Sequence, residues 1–164
     1  MSELQAHLDG RWAAVRNTAR DLLDDPRLVP SLGSIDEQRT RTFDRLRMLA
    51  DTGVSRLGFP KQYGGLDDLG GSITGFEMLA LGDLSLLAKA GVQFGLFGGA
   101  ILHLGTSPHH ERYLEDVMSV ALPGCFAMTE TGHGSDVHSI RTTATYDSRS
   151  VGRRNGSHEP DRRC

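Results

Sequence analysis

Cys125-Phe126-Ala127-Met128-Thr129-Glu130-Thr131-Gly132-His133-Gly134-Ser135-Asp136, returning through Ile140-Arg141-Thr142-Thr143-Ala144-Thr145-Tyr146, is the stretch on which the fold reading turns. An apolar run enters a polar, glycine-rich loop, and alternating residues leave it. This pattern predicts strand, loop, strand. Glycines let a backbone take positive φ and approach a ligand closely. Consecutive N–H groups in such a turn can form an anion-binding nest, and the hydroxyls of Thr131 and Ser135 add donors. Spacing alone leaves two readings open: a plain polar hairpin, or a cradle for phosphate or pyrophosphate.

Upstream, hydrophobic spacing reads as helix. Leu4, Leu8, Trp12, Val15, Ala19, Leu22 and Leu23 predict one amphipathic helix over about 3–24, ended by Pro26. Residues 27–33 read as a connector. Ser34 with Glu37 has the form of a capping box and predicts a helix over about 35–51, with Gly53 just past its end. Gly58-Phe59-Pro60-Lys61-Gln62-Tyr63-Gly64-Gly65 is turn-rich. Residues 72–89 are apolar nearly all round, which predicts a buried helix. A second buried helix is predicted over 91–104, where Gly91, Gly95 and Gly99 fall four apart on one face. Those glycines weaken an isolated helix, so either close packing or a ligand along that face must compensate, and packing is the preferred reading. Ser107-Pro108 predicts another helix start, with Ser107 as N-cap.

The chain has 164 residues, 38% hydrophobic and 24% charged, enough for a domain with a real core. A net charge of −3 excludes a broad basic face for nucleic acid. Two cysteines, Cys125 and Cys164, do not make a disulfide framework, and the expected setting is reducing and cytoplasmic. The most apolar stretch, 91–104, reads as too short to span a bilayer, so no membrane insertion is expected. The seven histidines include His109, His110, His133 and His138, but no spacing matches a zinc pattern, and no metal site is predicted. Ser135, Asp136 and a histidine could form a hydrolase triad in name, yet there is no Gly-x-Ser-x-Gly elbow.

The wording of three segments resembles the acyl-CoA oxidase and acyl-CoA dehydrogenase family. The segments are Gly124-Cys125-Phe126-Ala127-Met128-Thr129-Glu130 with Gly132-His133-Gly134-Ser135, then Gly91 to Ile101 with Leu104-Gly105-Thr106, and Pro60, Tyr63, Gly64 and Gly65. The oxidase branch fits best, and the resemblance covers roughly 35–147. Thr131 departs from it, since dehydrogenases commonly carry Pro there and oxidases Leu. The resemblance implies a mainly α fold: an N-terminal helical bundle over 1–122, then the first strands of an incomplete β-barrel domain over 123–147. It implies FAD as cofactor, acyl-CoA as substrate, oxidation to trans-2-enoyl-CoA, and a homo-oligomer in the full-length family. Phe126 and Met128 would line the isoalloxazine with their backbone, and Thr129 would meet the pyrimidine edge. Gly134 and Ser135 would lie at the pyrophosphate, with Ser135 also close to substrate. The family's glutamate base has no counterpart here, and Glu130 belongs to the loop motif, so no catalytic residue is assigned. Residues 148–164, with five Arg, have no strand or helix period. They are expected to be a disordered tail, the frameshifted end of a truncated product. The chain alone is then expected to hold FAD poorly and to be inactive, or to persist as a non-catalytic module that associates with a homologue.

Overall fold

The structure, a computed structural model, describes residues 3–28, 33–132, 134–145 and 154–156. It divides into two compact units, Met1–Phe126 and Ala127–Cys164. Most of the connector at 27–33, together with His133, Tyr146 and most of 148–164, lies outside the described residues.

The first unit is helical. The expected single helix over 3–24 is two: α1 (Glu3–Asp9) and α2 (Ala13–Leu23), joined by a 3-10 turn, Gly10–Trp12. Gly10 breaks the helix with φ +55°, a conformation few other residues tolerate. The Arg20 guanidinium grips Asp9 across the break with contacts of 2.6 and 2.7 Å. Helix α3 (Ile35–Asp51) starts where the sequence placed it. The Glu37 N–H donates to Ser34 Oγ, and the Ser34 N–H donates back to the Glu37 carboxylate. That box satisfies two otherwise orphaned donors.

The expected helix over 72–89 is also two, α4 (Leu69–Ala80) and α5 (Leu84–Ala90). Asp83 makes the break. Its carboxylate accepts from the Ser85 and Leu86 N–H groups as the N-cap of α5. It also meets Arg45 Nη1 at 2.7 Å in a buried ion pair. Gly82 has no room for a Cβ, which would stand 2.3 Å from the Leu23 side chain. A corner that buries Asp83 against α3 outweighs the helix propensity of the leucines around it.

No break occurs at Gly91. Helix α5 runs on through a π-helical segment, Gly91–Gly98, into α6 (Gly99–Leu104). The continuous helix Leu84–Leu104 has 21 residues and is long and apolar enough, by length and composition, to cross a membrane. The apolar stretch expected over 91–104 therefore extends back to Leu84. In this fold Leu86, Ala90 and Phe94 belong to the core.

Helix α7 (Ser107–Met118) follows. Its N-cap is Thr106 rather than Ser107, which is the first helical residue. The Thr106 N–H donates to Nδ1 of His109, a side chain doing the work usually done by Glu at that position. Leu114, Val117 and Met118 of α7 meet Leu46 and Leu49 of α3, Leu79 of α4 and Leu86 of α5 in one core. Each fully buried leucine contributes about 2 kcal/mol of transfer free energy.

The turn-rich segment is a closed structure and more than a connection. The Leu66, Asp67 and Asp68 N–H groups donate to the Arg56, Phe59 and Leu57 carbonyls. Gly64 takes φ +86°, and a Cβ on Gly65 would stand 2.0 Å from the Phe59 carbonyl oxygen. Tyr63 reaches His110 of α7, hydroxyl to Nδ1, at 3.3 Å.

In the second unit, β1 (Thr143–Thr145) pairs antiparallel with β2 (Arg154–Gly156), Ala144 opposite Asn155. The apolar run over 125–128 is not the strand expected: 123–129 has no regular secondary structure, and Glu130 makes one isolated bridge. A strand needs a neighbouring ladder for its N–H and C=O groups. Among the described residues no such ladder flanks 125–129.

Candidate functional site

The entry to the glycine-rich segment is fixed by one amide that the sequence reading passed over. Gln93, 2% exposed, sits in the π-helical segment. Its Nε2 donates to the Leu122 carbonyl at 2.9 Å and the Val117 carbonyl at 3.1 Å. Its Oε1 accepts from the Gly124 N–H at 2.8 Å. One side chain thus ties the end of α7 and the following turn to the central helix. Gly124 must be glycine, because a Cβ there would lie 2.0 Å from the Phe97 ring. The single polar residue in the segment Gly91–Gly98 was the available signal, since buried amides are retained with their partners satisfied. The site residue Phe126 ends this unit, half-exposed.

The other four flavin residues implied by the resemblance, Met128, Thr129, Gly134 and Ser135, fall in the second unit and are exposed. Among the described residues no hydrogen bond is formed by the backbone of 125–129. Gly132 takes φ +107° and Ser135 φ +57°. Left-handed backbone is uncommon for a residue with a Cβ and concentrates at ligand-binding turns. Cβ atoms built on Gly132 and Gly134 would meet nothing within 4 Å, so protein packing does not demand glycine at either place.

Glu130 closes the loop. Its carboxylate accepts from the Arg141 N–H at 2.8 Å, the Thr142 N–H at 2.7 Å and the Thr142 hydroxyl. Two backbone donors and a hydroxyl occupy the charge, which makes Glu130 a brace across 130–142. Asp136 accepts from the Ser139 hydroxyl at 2.5 Å, so its described partner is Ser139 and not Ser135. Among the described residues no group of three or more His, Cys, Asp or Glu side chains could hold a metal ion. His109 caps α7 and His110 contacts Tyr63.

These features suit a flavin: hydroxyls, half-exposed apolar side chains and a left-handed turn free of packing constraints. The first unit defines a class as well, a helical bundle around a central helix with a π-helical segment. The family described as acyl-CoA dehydrogenase, N-terminal domain, matches residues 12–121. Acyl-coenzyme A oxidase 3, peroxisomal, of Arabidopsis thaliana is 38% identical over 114 residues, which cover 70% of this chain and 17% of that protein. An acyl-coenzyme A oxidase-like protein of Mus musculus is 45% identical over 71 residues, 43% of this chain and 11% of that protein. Butyryl-CoA dehydrogenase from Megasphaera elsdenii shares the fold with a TM-score of 0.67 at 22% identity, over 90% of this chain and 38% of that one. The chain belongs to the acyl-CoA dehydrogenase N-terminal domain family. It spans about a sixth of the length of the plant oxidase it matches, 17%.

Proposed function

We propose that this chain supplies the N-terminal helical part and the flavin-facing loop of an FAD-dependent acyl-CoA oxidase or dehydrogenase, which oxidises an acyl-CoA to the trans-2-enoyl-CoA. The family match over 12–121 carries this reading. The β-barrel start is part of it, supported by the β1–β2 pair and the exposed loop before it. FAD, when bound, supplies the hydride-accepting chemistry. The hydroxyl of Thr129 and the backbone of Phe126 and Met128 would hold the ring system. Gly134 and the left-handed Ser135 offer N–H and hydroxyl donors to the pyrophosphate, and Ser135 also lies by the substrate.

Glu130 is not the base that takes the α proton, because its carboxylate is committed to Arg141 and Thr142. The chain alone holds FAD weakly and does not turn over acyl-CoA. Exposed Leu66, Leu69, Ile73, Leu81, Leu84 and Leu104 support association with further protein, in a homo-oligomer or with a homologue. The exposed free thiol of Cys125 supports a reducing compartment such as the cytoplasm.

The test is a chimera in which residues 12–142 replace the matching stretch of the Arabidopsis oxidase. Acyl-CoA-dependent enoyl-CoA formation by the chimera supports the reading. A folded chimera that retains FAD and yields none defeats it, as does turnover by the 164-residue chain itself.

A further inference from the structure

Close packing along Gly91, Gly95 and Gly99, the preferred reading of that row, is not found, since a Cβ built on any of the three meets nothing within 4 Å. The tight contacts of the π-helical segment lie elsewhere. A Cβ on Gly98 would stand 2.8 Å from the Phe59 ring. Gln93 and Phe97 both meet the turn that leads to Phe126.

That turn is Leu122-Pro123-Gly124, and its proline has no N–H to help close it. Gln93 bonds the backbone on both sides of the proline, Nε2 to the Leu122 carbonyl at 2.9 Å and Oε1 to the Gly124 N–H at 2.8 Å. A single hydrogen bond fixes a point. Two, set on either side of a residue whose φ is locked, fix the direction in which the chain leaves. The Phe97 ring lies against Gly124, 2.0 Å from where a Cβ would stand. Beyond the Gly124 N–H, the backbone of 125–129 forms no hydrogen bond among the described residues. Gln93 is thus the final tie between the helical fold and the residues assigned to the flavin.

We propose that Gln93 is a positioning residue for the flavin. Through Leu122 and Gly124 it sets where the backbone of Phe126 stands against the isoalloxazine, and it touches neither cofactor nor substrate. The inference rests on the flavin role given above to Phe126. Gln93 is 2% exposed, and both ends of its amide are bonded to backbone, so its part is placement and not contact. Displacing a reacting group by about 1 Å can cost ~100-fold in rate, which makes such a tie matter beyond its share of stability.

The test compares the chimera described above with its Gln93→Leu variant, at saturating FAD and without oxygen. Three quantities are read: FAD bound per folded protein, the visible circular dichroism of the bound FAD, and the rate at which acyl-CoA bleaches it, per bound FAD. In the folded variant the dichroic band changes and the bleaching rate per bound FAD falls at least about tenfold, with the acyl-CoA concentration for half-maximal rate unchanged. If Gln93→Leu does not fold, Gln93→Asn makes the same test, because its amide is one methylene too short to bridge Leu122 and Gly124. A Gln93 that only stabilises the fold would lower the amount of holoenzyme and leave the band and the rate per bound FAD as in the wild type. That result overturns the proposal and leaves the family reading intact. A folded wild-type chimera that holds no FAD defeats the flavin role of Phe126, and the proposal with it.

Discussion

Replacing Gln93 by Leu tests whether the central helix fixes the entry to the flavin loop. Leu and Gln have similar helix propensity and bulk, so the change isolates the amide. Three backbone groups lose a partner: the Val117 and Leu122 carbonyls and the Gly124 N–H. The Val117 carbonyl keeps the Val120 N–H at 3.2 Å, so it is not orphaned. The other two have no second partner among the described residues. At about 1 kcal/mol for each lost bond, with more for a group left desolvated, the loss is about 3 kcal/mol. Urea denaturation reads it as a lower midpoint at unchanged m. Hydrogen exchange reads it locally, with the Gly124 amide losing about tenfold or more of its protection. Gln93→Glu is a companion, since an ionised carboxylate offers the two carbonyls no donor and is expected to be worse at neutral pH than in acid. A loss below about 0.5 kcal/mol in Gln93→Leu, or wild-type exchange at Gly124, refutes the reasoning.

Asp83→Ala removes the cap of α5 and takes from Arg45 the carboxylate it meets at 2.7 Å in the interior; a destabilisation of about 3 kcal/mol is expected by denaturant titration, with Asp83→Asn recovering the cap part. Gly99→Ala adds a Cβ where nothing lies within 4 Å and is expected to stabilise by about 1 kcal/mol, whereas Gly124→Ala drives a Cβ into the Phe97 ring and destabilises; thermal melts of the two should shift in opposite directions. The Arg27 side chain, and then its N–H, hold Asp25 down to about 2 from its ordinary 3.8. A depressed carboxyl contributes stability that is complete above about pH 4 and lost as pH falls toward 2. Asp25→Asn should therefore flatten the acid limb of the stability curve in that window and leave neutral stability relatively less affected by pH.

Features set by neighbours in sequence were the legible ones. The Ser34–Glu37 box and the start of α3 follow from a four-residue motif that needs no tertiary partner. Features set across the fold were not. Asp83 and Gly82 read as interior residues of one helix over 72–89 until Arg45 arrives from α3 and Leu23 crowds the corner. Gly91 reads as a helix end, yet tertiary contacts carry the helix straight through it as a π-helical segment. The glycine row illustrates the same limit, because periodicity gives the face but not whether a neighbour or a void lies against it. In the loop, neither the Glu130 brace nor the Gln93 clamp is legible in sequence, because each depends on backbone partners brought from elsewhere in the chain.

The central claim is that the loop from Thr129 to Ser135 faces the flavin of a complete enzyme built on this domain. Flavin content of the purified chimera, wild type against Thr129→Ala with Ser135→Ala, tests it most directly. Stoichiometric FAD is expected in the wild-type chimera and at least a tenfold weaker hold, about 1.4 kcal/mol, in the double variant. Equal FAD retention by two folded chimeras would contradict it.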